Sequence, residues 1–139
     1  MRWPFPYSVP TTDTYGWRTM CDGCAPEFHK GVDFVPGAGT PIYSIAAGVV
    51  IEAQEDTTSG WGNHVIVEHL INGQKVESVY AHMITDSRVV NVGDTIKVGD
   101  LLGLVGDTGY AFGAHLHLEI HLDGVPVDPF AWLQANAVN

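Results

Sequence analysis

Positive charge is scarce in this chain. Lys and Arg number 6 in 139 residues against 16 Asp and Glu, a formal net charge of −10 with histidine neutral. A nucleic-acid surface needs clustered cations to displace phosphate counterions, so the composition argues against nucleic acid as a partner. It argues equally against an anionic membrane surface. Long apolar runs are also missing: no stretch of about 18 residues is apolar enough to span a bilayer as a helix. The opening Met1-Arg2-Trp3-Pro4-Phe5-Pro6 lacks an apolar stretch of signal-peptide length. A leader already removed, a domain cut from a longer protein, and a phage protein released by lysis all fit that start. Long helical periodicity is absent too. The 16 glycines and 8 prolines fall at turn-like places, which predicts many short strands. At 45% hydrophobic residues the chain is globular, and its length suits one domain, residues 1–139, with a core of its own.

Cysteine is nearly absent, at two residues in Cys21-Asp22-Gly23-Cys24. One Cys-x-x-Cys is a small disulfide or free thiol pair in the first instance. Half of a zinc site, with His29 five residues on, is the next reading. A redox pair lacks the βαβ pattern that usually surrounds it.

What the chain does have is alternation. Gly113-Ala114-His115-Leu116-His117-Leu118-Glu119-Ile120 carries the period of a half-buried strand. It sets His115, His117 and Glu119 on one face and Leu116, Leu118 and Ile120 on the other. Residues two apart stand roughly 6 to 7 Å apart along a strand, wide for two ligands of one zinc. The spacing suits one ligand beside one neighbour that touches the metal-bound water. A polar strand face that carries histidines by chance fits as well. Upstream, His29-Lys30-Gly31-Val32-Asp33 pairs an imidazole with a carboxylate. Gly31, Val32, Phe34, Val35 and Pro36 in and after it argue against helix. A straight strand would hold the two about 13 Å apart, so a bend or bulge is expected at Gly31. A surface His and a turn Asp remain an equal reading for this segment taken alone.

The rest reads as strands and turns. Thr11 to Arg18 is a turn leading into a short strand, with Tyr15-Gly16-Trp17-Arg18 as cleft wall or ordinary packing. Ile42–Ile45 and Val49–Ala53 are strands. His64–Leu70 and Lys75–His82 form a hairpin around Asn72-Gly73. In the second of these, Val76, Ser78, Tyr80 and His82 are expected to point one way. His64 and His69 read as structural. Gly93-Asp94 and Gly99-Asp100 look like two tight turns of a curled sheet. Their repeat resembles lipoyl and biotinyl carrier domains, but Lys97 falls mid-strand by pattern rather than at a hairpin tip. Asp123-Gly124 is a further hairpin turn. Asp128-Pro129 can cap a short final helix, pinned by Phe130 and Leu133.

Taken in order, His29-x-x-x-Asp33, Tyr80-Ala81-His82 and His115-x-His117 resemble the M23 family of zinc endopeptidases, to which lysostaphin and the LytM-type peptidoglycan hydrolases belong. The resemblance runs from about Tyr15 to Leu133 and includes Gly31, the Gly-Asp turns, Gly106-x-Thr108-Gly109 and Pro126-Val127-Asp128-Pro129. Ala114, Leu118 and Met83 stand where the family usually has Pro, Phe and Leu. The stretch Thr19–Glu27, with both cysteines, departs most. The resemblance implies a mostly β, antiparallel, curled lysostaphin-like peptidase domain with a short C-terminal helix and a core of about residues 15–133. It implies one Zn2+ per chain held by His29, Asp33 and His117, and two catalytic histidines, His82 and His115, that do not bind metal.

The chemistry agrees with that implication. Two imidazoles and a carboxylate leave a tetrahedral zinc a fourth position for water. Histidines supply the base for that water and the donor for the leaving nitrogen. We expect His115 to act as general base, and His82 to stabilise the oxyanion or protonate the amine. Glu119 is either a partner of a ligand or a surface carboxylate. His121 lies too far along the strand to join. A groove floored by Tyr80 and walled by Trp61 would admit slim glycine or D-alanine peptides of bacterial peptidoglycan. Glycyl cross-bridges and D-alanyl stem bonds both remain open as substrates. The expected enzyme is a monomer acting outside the cell, in the wall, either secreted or released by lysis. A non-catalytic M23-like binding domain is the competing reading, and a carrier domain the third.

Overall fold

The computed structural model describes residues 1–19, 21–109, 111 and 113–138. In chain order its strands are β1 (Thr11–Asp13), β2 (Gly16–Arg18), β3 (Glu27–His29), β4 (Val32–Phe34), β5 (Pro41–Tyr43), β6 (Gly48–Gln54), β7 (Asn63–Ile71), β8 (Gln74–Met83), β9 (Thr95–Ile96), β10 (Leu101–Leu104), β11 (Leu116–Leu122) and β12 (Val125–Val127). One helix follows, α1 (Pro129–Asn136). The main sheet runs β1-β4-β11-β8-β7-β6-β9, with β12 beside the far end of β11. β10 pairs with β5, and β2 with β3, in two small ribbons. Every pairing is antiparallel, as the alternation and the hairpin turns predict.

β11 is central because it is buried on both faces. Leu116, Leu118 and Ile120 are fully buried and meet Val32, Val65, Val76, Tyr80, Leu102 and Leu133 in the core. The opposite face carries His117 and Glu119, also buried. Two turns fall where expected: Asn72-Gly73 and Asp123-Gly124 take positive φ at both positions, the two-residue geometry that matches the strands' twist. The Gly-Asp repeat makes two like turns. The Asp94 carboxylate accepts from the Asn91 amide at 2.8 Å, and that of Asp100 from the Lys97 amide at 2.8 Å. Lys97 thus lies in the turn after β9, not in mid-strand as its pattern suggested. Asp128 caps α1 by accepting from the amides of Phe130 and Ala131 at 3.0 and 3.2 Å. Leu133 is buried beneath the helix, and Phe130 packs on Trp3.

Two expectations need correction. Gly113–His115 is not strand; β11 begins at Leu116, and His115 is anchored by its amide on the Gly106 carbonyl at 3.1 Å. Nor does Tyr80 share a face with His82. Tyr80 is buried in the core, where its hydroxyl accepts from the Ile45 amide at 3.1 Å and from Ser78 at 2.8 Å. The β7–β8 register slips between Val65↔Tyr80 and Asn63↔Met83, so Ala81 and His82 together oppose His64. His82 takes φ 65°, a left-handed conformation uncommon outside glycine. The extra residue turns His82 out of the core and towards the face of β11 that carries His117.

Candidate metal centre

The register assembles the site. His117 lies opposite Asp33 on β4 and opposite Ala81 on β8. Directly opposed residues share a face, so the Asp33 carboxylate meets the His117 ring across the ladder at 2.9 Å, Oδ1 to Nδ1. His29 arrives from β3 because the chain bends between β3 and β4. Its Nε2 lies 3.2 Å from His117 Nδ1 and 3.3 Å from Asp33 Oδ1. The bend needs glycine for space. A Cβ on Gly31 would lie 2.4 Å from the Leu118 carbonyl oxygen and 2.7 Å from the His117 ring.

His29, Asp33 and His117 are therefore three buried donors whose ligand atoms lie within 4.8 Å of one another, a group that can hold a metal ion. Each imidazole is oriented from behind. His29 Nδ1 bonds the Thr14 carbonyl at 2.9 Å, and His117 Nε2 bonds Glu119 Oε2 at 2.7 Å. Those bonds leave His29 Nε2 and His117 Nδ1 facing each other and Asp33, the arrangement expected of metal-ligating histidines.

The charges agree. Burial alone would raise the Asp33 pKa, but hydrogen bonds to His117 and His29 and their charges hold it well below the ordinary carboxylate range. Burial alone would lower that of His117, but hydrogen bonds to Asp33 and Glu119 raise it to about 9. Two carboxylates thus face the His117 ring, Asp33 at Nδ1 and Glu119 at Nε2.

The two remaining histidines stand beside this group. The rings of His82 and His115 are 4.6 Å apart, and those of His82 and His117 5.9 Å. His115 Nε2 lies 3.7 Å from Asp33 Oδ1. Each ring has its Nδ1 committed to a carbonyl, His82 to Thr108 at 2.6 Å and His115 to Gly113 at 2.9 Å, so each offers Nε2 to the groove. The Thr108 carbonyl is fixed by loop packing: a Cβ on Gly62 would lie 2.4 Å from the Thr108 carbonyl carbon. Burial, and then the charges of His115 and His117, push the His82 pKa down to about 4 although the Thr108 bond opposes this.

All five histidine and aspartate positions singled out by the sequence line one groove of about 750 Å3. Trp61 is on its wall as expected; Tyr80 is not on its floor. His64 and His69 are structural: each is buried and bonded on both ring nitrogens, to Gly62 and Glu52, and to Ala47 and Ser78. Arg18 belongs to the Tyr15–Arg18 stretch expected as cleft wall or ordinary packing, and it is cleft wall. It bonds Asp13 Oδ2 at 2.8 Å and approaches Asp33 Oδ2 at 3.8 Å. Within the Thr19–Glu27 stretch Met20 lies outside the described residues, but a disulfide joins Cys21 and Cys24.

An antiparallel β protein with a His-Asp-His donor group and two further imidazoles in one groove fits the metallohydrolase class. The model for peptidase family M23 matches residues 27–129, and this chain belongs to that family of metallopeptidases. The chain is 37% identical over 101 residues to the DD-carboxypeptidase/endopeptidase Mpg of Neisseria meningitidis, covering 73% of this chain and 22% of that protein. It is 34% identical over 100 residues to the peptidoglycan DD-endopeptidase ShyA of Vibrio cholerae, covering 72% and 22%. The chain thus spans about a fifth of the length of these curated relatives. Its structure is similar to the catalytic domain of the prophage-encoded M23 protein EnpA of Enterococcus faecalis, with TM-score 0.74, 29% identity, and 91% and 92% of the two chains covered. The catalytic domain of lysostaphin from Staphylococcus simulans is similar at TM-score 0.72 and 30% identity, covering 91% and 92%.

The disulfide carries a prediction about the metal. Its sulfurs are bonded to each other and offer no thiolate. Replacing both Cys21 and Cys24 by Ser should leave the metal content measured by atomic emission at about one ion per chain. A fall to half or less would refute this.

Proposed function

We propose that this chain is one peptidase domain, residues 1–139, that binds one zinc ion through His29, Asp33 and His117 and hydrolyses peptide bonds of bacterial peptidoglycan. The observation that carries this reading is the convergence of His29 Nε2, Asp33 Oδ1 and His117 Nδ1 beside two imidazoles whose Nε2 atoms face the same groove. Two nitrogens, each oriented from behind, and one carboxylate oxygen are a zinc donor set that leaves a position open. Zinc bound there would polarise a scissile carbonyl and make water a nucleophile near neutral pH.

The chain's own groups supply the proton handling. His115, with Nδ1 tied to Gly113, accepts the proton of the attacking water at Nε2. His82 is held neutral by its burial, so at rest its Nε2 is an acceptor that orients the water. Carrying a proton, the same atom can donate to the oxyanion. Once the water's proton has reached the paired rings, 4.6 Å apart, His82 can pass it to the leaving amine. With Trp61 on its wall, the groove would take slim residues such as glycine or D-alanine, in cross-bridge or stem peptides. The acidic chain would be repelled by anionic wall polymers, so its delivery to the wall, after secretion or lysis, rests on something outside these residues. We expect it to act as a monomer, with all five site residues supplied by one chain.

Mass spectrometry of fragments released by the zinc-loaded protein from purified walls, one set with glycyl and one with direct cross-links, tests this. Release of cleaved stem or bridge peptides is expected. Zinc-loaded, folded protein that releases none from either wall, yet binds them, would support the non-catalytic binding domain instead.

A further inference from the structure

Behind the metal centre lies a carboxylate with more hydrogen-bond donors than a strand face normally supplies. Glu119 is 3% exposed. Its Oε2 accepts from His117 Nε2 at 2.7 Å and from the Trp61 indole N–H at 3.1 Å; its Oε1 accepts from His121 Nε2 at 2.8 Å. A buried carboxylate is costly unless its oxygens are satisfied by donors, and here three side chains from two parts of the chain do so. His121 and His117 flank Glu119 along β11, while Trp61 comes from the loop before β7 and also lines the groove.

We propose that Glu119 is the positioning residue of the metal centre: by holding the His117 ring at Nε2 it aims Nδ1 at Asp33 and His29, and through Trp61 it ties the groove wall to that ligand. The two-fold arrangement of a carboxylate matters. One oxygen accepts from both the ligand and the wall, so any turn of the carboxylate disturbs both. The second oxygen is occupied by His121, which stops the carboxylate from turning away. His121, too distant to bind the metal, thus has a use on the far side of Glu119. This inference rests on the zinc assignment above.

The test is zinc affinity measured by competition with a chromophoric chelator, on folded protein checked by circular dichroism. Glu119→Gln keeps the size of the side chain but brings an NH2 group, a donor facing donors. Zinc should bind about 10- to 100-fold more weakly, as for loss of the partner behind a ligating histidine. Trp61→Phe removes one shared donor and should weaken zinc less, by a few-fold, while leaving one site per chain. At saturating zinc, kcat of Glu119→Gln should recover more fully than kcat/KM measured at limiting zinc. A role in folding alone would lower the thermal midpoint without moving zinc affinity. Wild-type affinity, within twofold, in both variants would overturn the proposal. Failure of the wild-type protein to bind zinc, or of His117→Ala to lose it, would instead overturn the zinc assignment itself.

Discussion

His117→Ala should abolish tight zinc binding, and activity with it, whereas His82→Ala and His115→Ala should keep near-full zinc and lose activity on the order of a hundredfold or more. The geometry gives the split its basis. His117 Nδ1 lies 3.2 Å from His29 Nε2 and 2.9 Å from Asp33 Oδ1, inside the donor group. His115 Nε2 approaches Asp33 only to 3.7 Å, and His82 faces His115 rather than the carboxylate. Removing either of these two leaves three donors in place, so the metal stays while proton transfer fails. Metal analysis of the three dialysed variants, beside a wall-digestion rate, measures both quantities. Equal zinc loss from His115→Ala and His117→Ala, with folding intact, would sink the division of roles and place both rings on the metal.

Gly31→Ala should damage the fold and the metal-binding group together. The added carbon would lie 2.4 Å from the Leu118 carbonyl oxygen and within 2.9 Å of two atoms of the His117 ring. Leu118 cannot retreat, because β11 is paired at that residue with Val32 on one side and Tyr80 on the other. The ring must then rotate, or β3 and β4 must separate. Overpacking of this kind costs about 1–3 kcal/mol or more, and here the strain falls on a metal ligand. A lower thermal midpoint of the metal-free protein together with weakened zinc binding is expected. A variant with unchanged midpoint and unchanged affinity would show that the bend has slack that the contacts deny.

How much of this was legible in the chain alone follows from the range of each interaction. Period-2 alternation is a local property, so the core face of β11, with Leu116, Leu118 and Ile120, could be read directly. The turns at Asn72-Gly73 and Asp123-Gly124 and the cap at Asp128 depend on neighbouring residues only, and they too were legible. The bend at Gly31 followed from a contradiction in distances: two residues about 13 Å apart in an extended strand cannot share a metal. The family motifs carried the set of five site residues, which spacing alone left open.

Tertiary structure decided what depends on partners far along the chain. Alternation placed His82 with Tyr80, and only the slipped register against β7 shows that His82 turns away into the groove while Tyr80 stays in the core. Pattern could not say whether Glu119 was a surface carboxylate, because its burial depends on Trp61, 58 residues earlier. Arg18 gave no periodic signal at all, and its place 3.8 Å from Asp33, on a strand paired with β3 rather than β4, is set by tertiary structure. Side-chain chemistry along the strand is written locally. Which ring nitrogen faces a metal and which faces a carbonyl is set by the pairing of strands that sequence order keeps apart.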